Sequence, residues 1–277
     1  MPLILHAGTP KTGTSALQRR FAERPEALAR AGVWYAPTPP GAHRHQEIVR
    51  AMVRADHAGV EATLSDLLAT RPAWAHTAVI SSEGIAMMWS EMREDARAAL
   101  TRAAAQLQAE LWVCFREPKA FAASLYAQFL RNTPVDPMFA RDASFADMLD
   151  DARFVRRLDY AAFLRGADAV FGAAHVRAFR YDGAIVERIS AALGIDEPGE
   201  VVPQDNVSLR AAGVDVQRIV NRYAPAALQP RLAHVAAQAD AIAGAASPPF
   251  RLSAAEGARV DALFAADWAA LQPRLIA

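Results

Sequence analysis

Short, nearly continuous apolar runs recur along the chain and alternate with stretches whose apolar residues return every three to four positions. The runs are Leu3–Ala7, Val33–Ala36, Ala78–Ser81, Leu111–Phe115 and Val176–Phe179, each with the length of a strand buried on both faces. Between them the helical period covers Thr14–Ala31, His45–His57, Val60–Ala69, Ser90–Gln108, Pro118–Asn132 and Gly183–Leu193. Strand alternating with helix predicts a parallel sheet covered by helices. After Leu193 the strand signals stop, and helical periodicity returns at Ser208–Arg222, Gln229–Ala243 and Ser253–Leu271. The expected architecture is α/β, three layers around a central parallel sheet of about five strands, with a helical C-terminal cap.

Length and composition narrow this further. A chain of 277 residues that is 53% hydrophobic buries a full core and falls at the upper end of single-domain size. One domain over 1–277 is expected, with an α/β core over 1–194 and a cap over 195–277. Thirty basic residues balance thirty acidic ones, so no whole-chain charge favours nucleic acid or a lipid surface, and any anion site must be local. The single cysteine, Cys114, excludes an internal disulfide and a cysteine-based zinc site, and its apolar run makes a buried thiol the expectation. No apolar run reaches the length of a membrane span, and no basic segment leads into a long apolar stretch at the start. A soluble, cytoplasmic protein is expected.

The chemistry concentrates where the first run ends, in Gly8-Thr9-Pro10-Lys11-Thr12-Gly13-Thr14-Ser15. A strand, a turn with two glycines and a helix start together form a phosphate cradle, because glycines let backbone N–H groups turn inward and the helix start adds free N–H groups and its positive dipole end. Lys11 adds a full charge. An ordinary nucleoside-triphosphate loop has its lysine after the second glycine, opening the helix; here Lys11 precedes Gly13. The form G-x-x-K-T-G-T-S resembles the phosphosulfate loop of the sulfotransferases that use 3′-phosphoadenosine 5′-phosphosulfate (PAPS). The resemblance implies a P-loop-like fold, PAPS as sulfuryl donor, no metal, and a 5′-phosphosulfate site made by Lys11, Thr12, Gly13, Thr14 and Ser15.

Three later stretches follow the same family in the same order. Leu111–Phe115 runs into Arg116, and Ser124 lies eight residues further on, inside the next predicted helix. A guanidinium fork and a hydroxyl suit a phosphate, and the resemblance makes them the 3′-phosphate site. Ala78–Ser81 ends in Ser82-Glu83-Gly84, where the family delivers its general base, so Glu83 takes that place; helix capping or an ion pair is the competing reading. Asp205-Asn206-Val207-Ser208-Leu209 is similar to an element of bacterial members, with helix capping favoured over a cofactor contact.

Seven histidines occur, none at metal-ligand spacing. His45, in the turn-rich loop Pro37–His45, is a second candidate base, and His6 is read as a core or supporting residue. The acceptor stays open between a glycan and a small metabolite, by hydroxyl or amine. Two other readings remain: a P-loop kinase or NTPase, for which no strand here ends in the magnesium-binding aspartate, and an inactive nucleotide-binding module of the same fold.

Overall fold

The computed structural model describes residues 2–39, 41–54, 57–132, 142–195, 209–225 and 227–276. It divides into two compact units, one of 1–116, 160–203 and 270–277, the other of 117–159 and 204–269.

The first unit is built on a parallel sheet, six-stranded among the described residues, in the order β2-β3-β1-β4-β5-β6. The strands are β1 (Leu3–His6), β2 (Val33–Tyr35), β3 (Thr77–Ser81), β4 (Glu110–Phe115), β5 (Val176–Arg180) and β6 (Leu275–Ile276). Each predicted run is one of these strands, within two residues. The sixth is an addition: Leu275 and Ile276 pair with Ala178 and Phe179, a strand too short to leave a periodic signal of its own.

Its helices are α1 (Thr14–Glu23), α2 (Pro25–Arg30), α3 (Gln46–Arg54), α4 (His57–Leu68), α5 (Glu83–Met87), α6 (Glu94–Leu107), α10 (Tyr160–Phe171) and α11 (Ile185–Ala192). The expected single helix over Thr14–Ala31 is two, because Pro25 pushes Arg24 out of helical geometry, to φ −129° and ψ 53°. Proline then opens the second helix, where its missing N–H costs nothing. Alternate side chains of each strand point to opposite faces. Ile4, Val33, Val79, Trp112, Cys114 and Phe179 pack with Leu17 and Phe21 of α1, Leu28 of α2, and Ile185 and Ile189 of α11. On the other face Phe115 meets Tyr160 and Phe163 of α10, with ring centroids 4.5 and 5.8 Å away. Sheet and two helical faces make the expected three layers.

The chain leaves β1 to build β2 and β3 on one side, then crosses to build β4 and β5 on the other. The carboxyl end of β1 is the point from which this sheet opens both ways, the position where open α/β sheets bind ligands.

The second unit is helical: α7 (Pro118–Asn132), α8 (Phe145–Asp150), α9 (Ala152–Leu158), α12 (Ala211–Tyr223), α13 (Gln229–Ala243) and α14 (Ala254–Leu271). Asp240 of α13 accepts hydrogen bonds from the backbone N–H groups of Arg210 and Gly213, both at 2.7 Å, satisfying donors that the start of α12 leaves unpaired. Asn221 of α12 donates to the carbonyl of Leu130 in α7 at 2.8 Å. The unit therefore draws on 117–159 as well as on the C-terminal third. Among the described residues no helix is long and apolar enough to cross a membrane.

Candidate functional site

The loop after β1 is fastened to the neighbouring strand before it turns. The backbone N–H of Ala7 donates to Trp112 at 2.8 Å, and both the N–H and the hydroxyl of Thr9 donate to the carbonyl of Cys114, at 3.3 and 2.7 Å. Thr12 Oγ1 closes the turn on the Thr9 carbonyl at 2.5 Å. The chain then passes through the left-handed region twice, at Lys11 with φ 66° and at Gly13 with φ 77°. Glycine takes that geometry freely; lysine takes it at a cost. Gly8 is required for a different reason, since a Cβ there would lie 2.1 Å from Thr14 Oγ1 and 3.1 Å from the His6 ring. Backbone, hydroxyl and imidazole share one cradle.

Thr14 Oγ1 is buried in that cradle and has no hydrogen-bond partner among the described residues. A buried hydroxyl is seldom left unmatched, and this one sits at the first residue of α1, where N–H groups are also unpaired by the helix. Ser15 is exposed, and Lys11 and Gly13 are partly so. These donors fit a phosphate oxygen.

In the register of β1 and β3, His6 pairs with Ser81, so the residues following them leave the sheet side by side. Glu83 opens α5 immediately after Ser82, whose hydroxyl donates to Gln46 Oε1 at 2.8 Å. Burial raises the Glu83 carboxyl above the ordinary carboxylate range, while the charges of Arg44 and Lys11 pull it back. Lys11 and Glu83 therefore stand just beyond the carboxyl ends of adjacent strands.

Beneath them runs a buried polar chain. Ser81 Oγ lies 2.8 Å from His6 Nδ1 and accepts from Gln18 Nε2 at 3.1 Å. His6 is 2% exposed, and burial lowers its pKa to about 4, so it is neutral at physiological pH. The sequence offers no local sign of this chain, because its members come together only when β1, β3 and α1 pack.

His45 is corrected by its surroundings. It is fully buried, with Nδ1 accepting from the Ser81 N–H at 3.0 Å and Nε2 donating to the Ala36 carbonyl at 2.9 Å. Its backbone N–H donates to the Ser81 carbonyl at 2.9 Å, and Tyr35 packs edge-on against the ring at 4.8 Å. With both nitrogens held by backbone, His45 has no lone pair to take a proton from a substrate. It fastens a loop; it is not a base.

No protein-family model matches the chain, and no curated protein matches it in sequence. Among solved structures it is similar to a sulfotransferase from Alicyclobacillus acidocaldarius. That likeness has TM-score 0.48 and 16% identity, over 84% of this chain and 96% of the other.

Arg116, directly after β4, lies with its guanidinium carbon 5.3 Å from the centroid of the Tyr181 ring, and its carbonyl accepts from the Tyr160 hydroxyl at 3.0 Å. Among the described residues its guanidinium makes no ion pair. Ser124 is buried in α7 of the second unit. Cys114 is buried, and its thiol is pushed up to about 12, a core residue without nucleophilic character. Residues 205–208 and the loop 133–137 lie outside the described residues. Among the described side chains no group of three or more His, Cys, Asp or Glu is placed to hold a metal ion.

Proposed function

We propose that the protein is a sulfotransferase that moves a sulfuryl group from PAPS to the hydroxyl of an acceptor, a glycan or small metabolite. The observation that carries the reading is the register of β1 against β3, which brings the phosphate loop with Lys11 and the carboxylate of Glu83 to neighbouring strand ends. A cation for the leaving group and a carboxylate for the proton are what in-line sulfuryl transfer needs. The unmatched Thr14 hydroxyl and the Gly8 approach support a phosphate in the cradle.

In this reading Glu83 takes the acceptor's hydroxyl proton as that oxygen bonds to sulfur, and the sulfur–oxygen bond to the 5′-phosphate breaks. Its raised pKa makes it a better proton acceptor near neutrality than an ordinary carboxylate. Lys11 and the N–H groups around Gly13 hold the negative charge that gathers on the departing 5′-phosphate; one such preorganised donor contributes about 10²–10³ in rate. Thr12 shapes the loop through its bond to Thr9, and Thr14 and Ser15 supply hydroxyls. Arg116 takes the 3′-phosphate that distinguishes PAPS from ATP. The reaction leaves 3′,5′-adenosine bisphosphate.

Glu83→Gln tests the assignment. The expected result is loss of sulfuryl transfer with bisphosphate affinity nearly unchanged; retained transfer would remove Glu83 as the base.

A further inference from the structure

Arg44 sits between two residues that are each tied to the sheet. On one side the His43 carbonyl accepts from the Tyr35 hydroxyl at 2.6 Å. On the other, His45 is locked to Ser81 and Ala36 by ring and backbone. Thr38 Oγ1 braces the same loop on the Ala42 carbonyl at 2.6 Å. A long, rotatable side chain is thus mounted on a backbone with little freedom, and its guanidinium reaches Glu83, Nη1 to Oε1 at 3.4 Å. The Arg44 side chain is 49% exposed and that of Glu83 24%.

We propose that Arg44 is the positioning residue of the general base: the pinned loop holds its guanidinium against Glu83 so that the carboxylate stays ionised and aimed at the acceptor. This rests on the reading of Glu83 as the base. An exposed ion pair alone contributes little to stability, so fastening one so firmly makes sense through what it does to the carboxylate. Burial drives Glu83 toward its neutral form, which cannot take a proton, and a cation beside it opposes that drive.

Other ionisable groups stand on the elements around α5. Lys11 lies on the phosphate loop and acts on Glu83 in the same direction as Arg44. Glu47 and Arg50 belong to α3, where the Glu47 charge acts on Tyr35 and His45. Glu91 lies in the 3-10 turn after α5, and His6 on β1 is neutral. Of these, Lys11 is committed to the leaving group, so Arg44 is the cation that can be removed without touching the donor site.

The test is a carbon NMR titration of the Glu83 carboxyl in the full chain without substrate, assigned with Glu83→Gln and compared between wild type, Arg44→Gln and Arg44→Lys. Arg44→Gln should move the titration up by about one pH unit, and Arg44→Lys should restore most of the shift. The acidic limb of kcat/KM should move by the same amount, with bisphosphate affinity unchanged. A Glu83 titration that does not move in Arg44→Gln, or that lysine fails to restore, overturns the proposal. If the titration shifts as expected while the wild type transfers no sulfuryl group, the pairing stands and the sulfotransferase reading falls.

Discussion

Lys11 offers a prediction in which stability and function pull apart. Its φ of 66° places a side chain in the left-handed region, at a cost of about 1–2 kcal/mol for a residue with a Cβ. Alanine at this position keeps the Cβ and so the strain. Glycine removes it but gives the unfolded chain more freedom, which costs about 0.4–1 kcal/mol. Both variants lose the ammonium and every contact it makes, so the difference between them isolates the backbone. Lys11→Gly should therefore be more stable than Lys11→Ala by about 0.5–1 kcal/mol, a rise in Tm of about 1–3 °C for a chain of this size. Both should lose turnover by about 10²-fold or more. Thermal unfolding followed by circular dichroism, beside a transfer assay, reads both quantities. If Lys11→Gly melts at or below Lys11→Ala, the loop stores no strain at Lys11; near-normal turnover in either variant would end its leaving-group role.

Two further perturbations probe the floor of the site. His6 titrates near 4 in the folded protein against 6.5 when unperturbed, so the unfolded chain takes up its proton first as pH falls. Its contribution is complete above pH 6.5 and is lost on descending toward 4, a loss of about 3 kcal/mol. Urea unfolding at pH 7 and pH 4.5 should show a smaller drop in His6→Gln than in wild type, and equal drops would place the acid sensitivity elsewhere. Gly8→Ala puts a Cβ where Thr14 Oγ1 now lies, 2.1 Å away, and should weaken bisphosphate binding by about tenfold or more through displacement of the loop; unchanged binding would show that the hydroxyl does not face the ligand.

The sheet was readable because strands buried on both faces appear as unbroken apolar runs, and helices such as Pro118–Asn132 and Gln229–Ala243 because a proline in the first turn and alanine-rich periods mark them. Between 142 and 175 three helices went unread although signals exist. Ser144 and Asp147 form a reciprocal capping box, and Tyr160, Phe163, Leu164, Ala167, Val170 and Phe171 recur at helical spacing on the buried face of α10. The phosphate loop was legible because its chemistry is local, a run of neighbours in sequence. The surroundings of Glu83 were not: the Lys11 loop and Glu83 become neighbours only because β1 and β3 lie side by side, and Arg44 reaches Glu83 from the loop after β2. His45 misled for the same reason, since a histidine in a turn-rich loop reads as solvated until the loop folds back onto Ala36 and Ser81.

The central claim is that the cradle after β1 takes a nucleotide carrying a 3′-phosphate. Calorimetric titration of the purified protein with 3′,5′-adenosine bisphosphate, run beside ATP with and without magnesium, tests it most directly. Tight, magnesium-independent binding of the bisphosphate and negligible binding of ATP are expected. Binding of magnesium-ATP alone would contradict it and return the chain to the kinase reading.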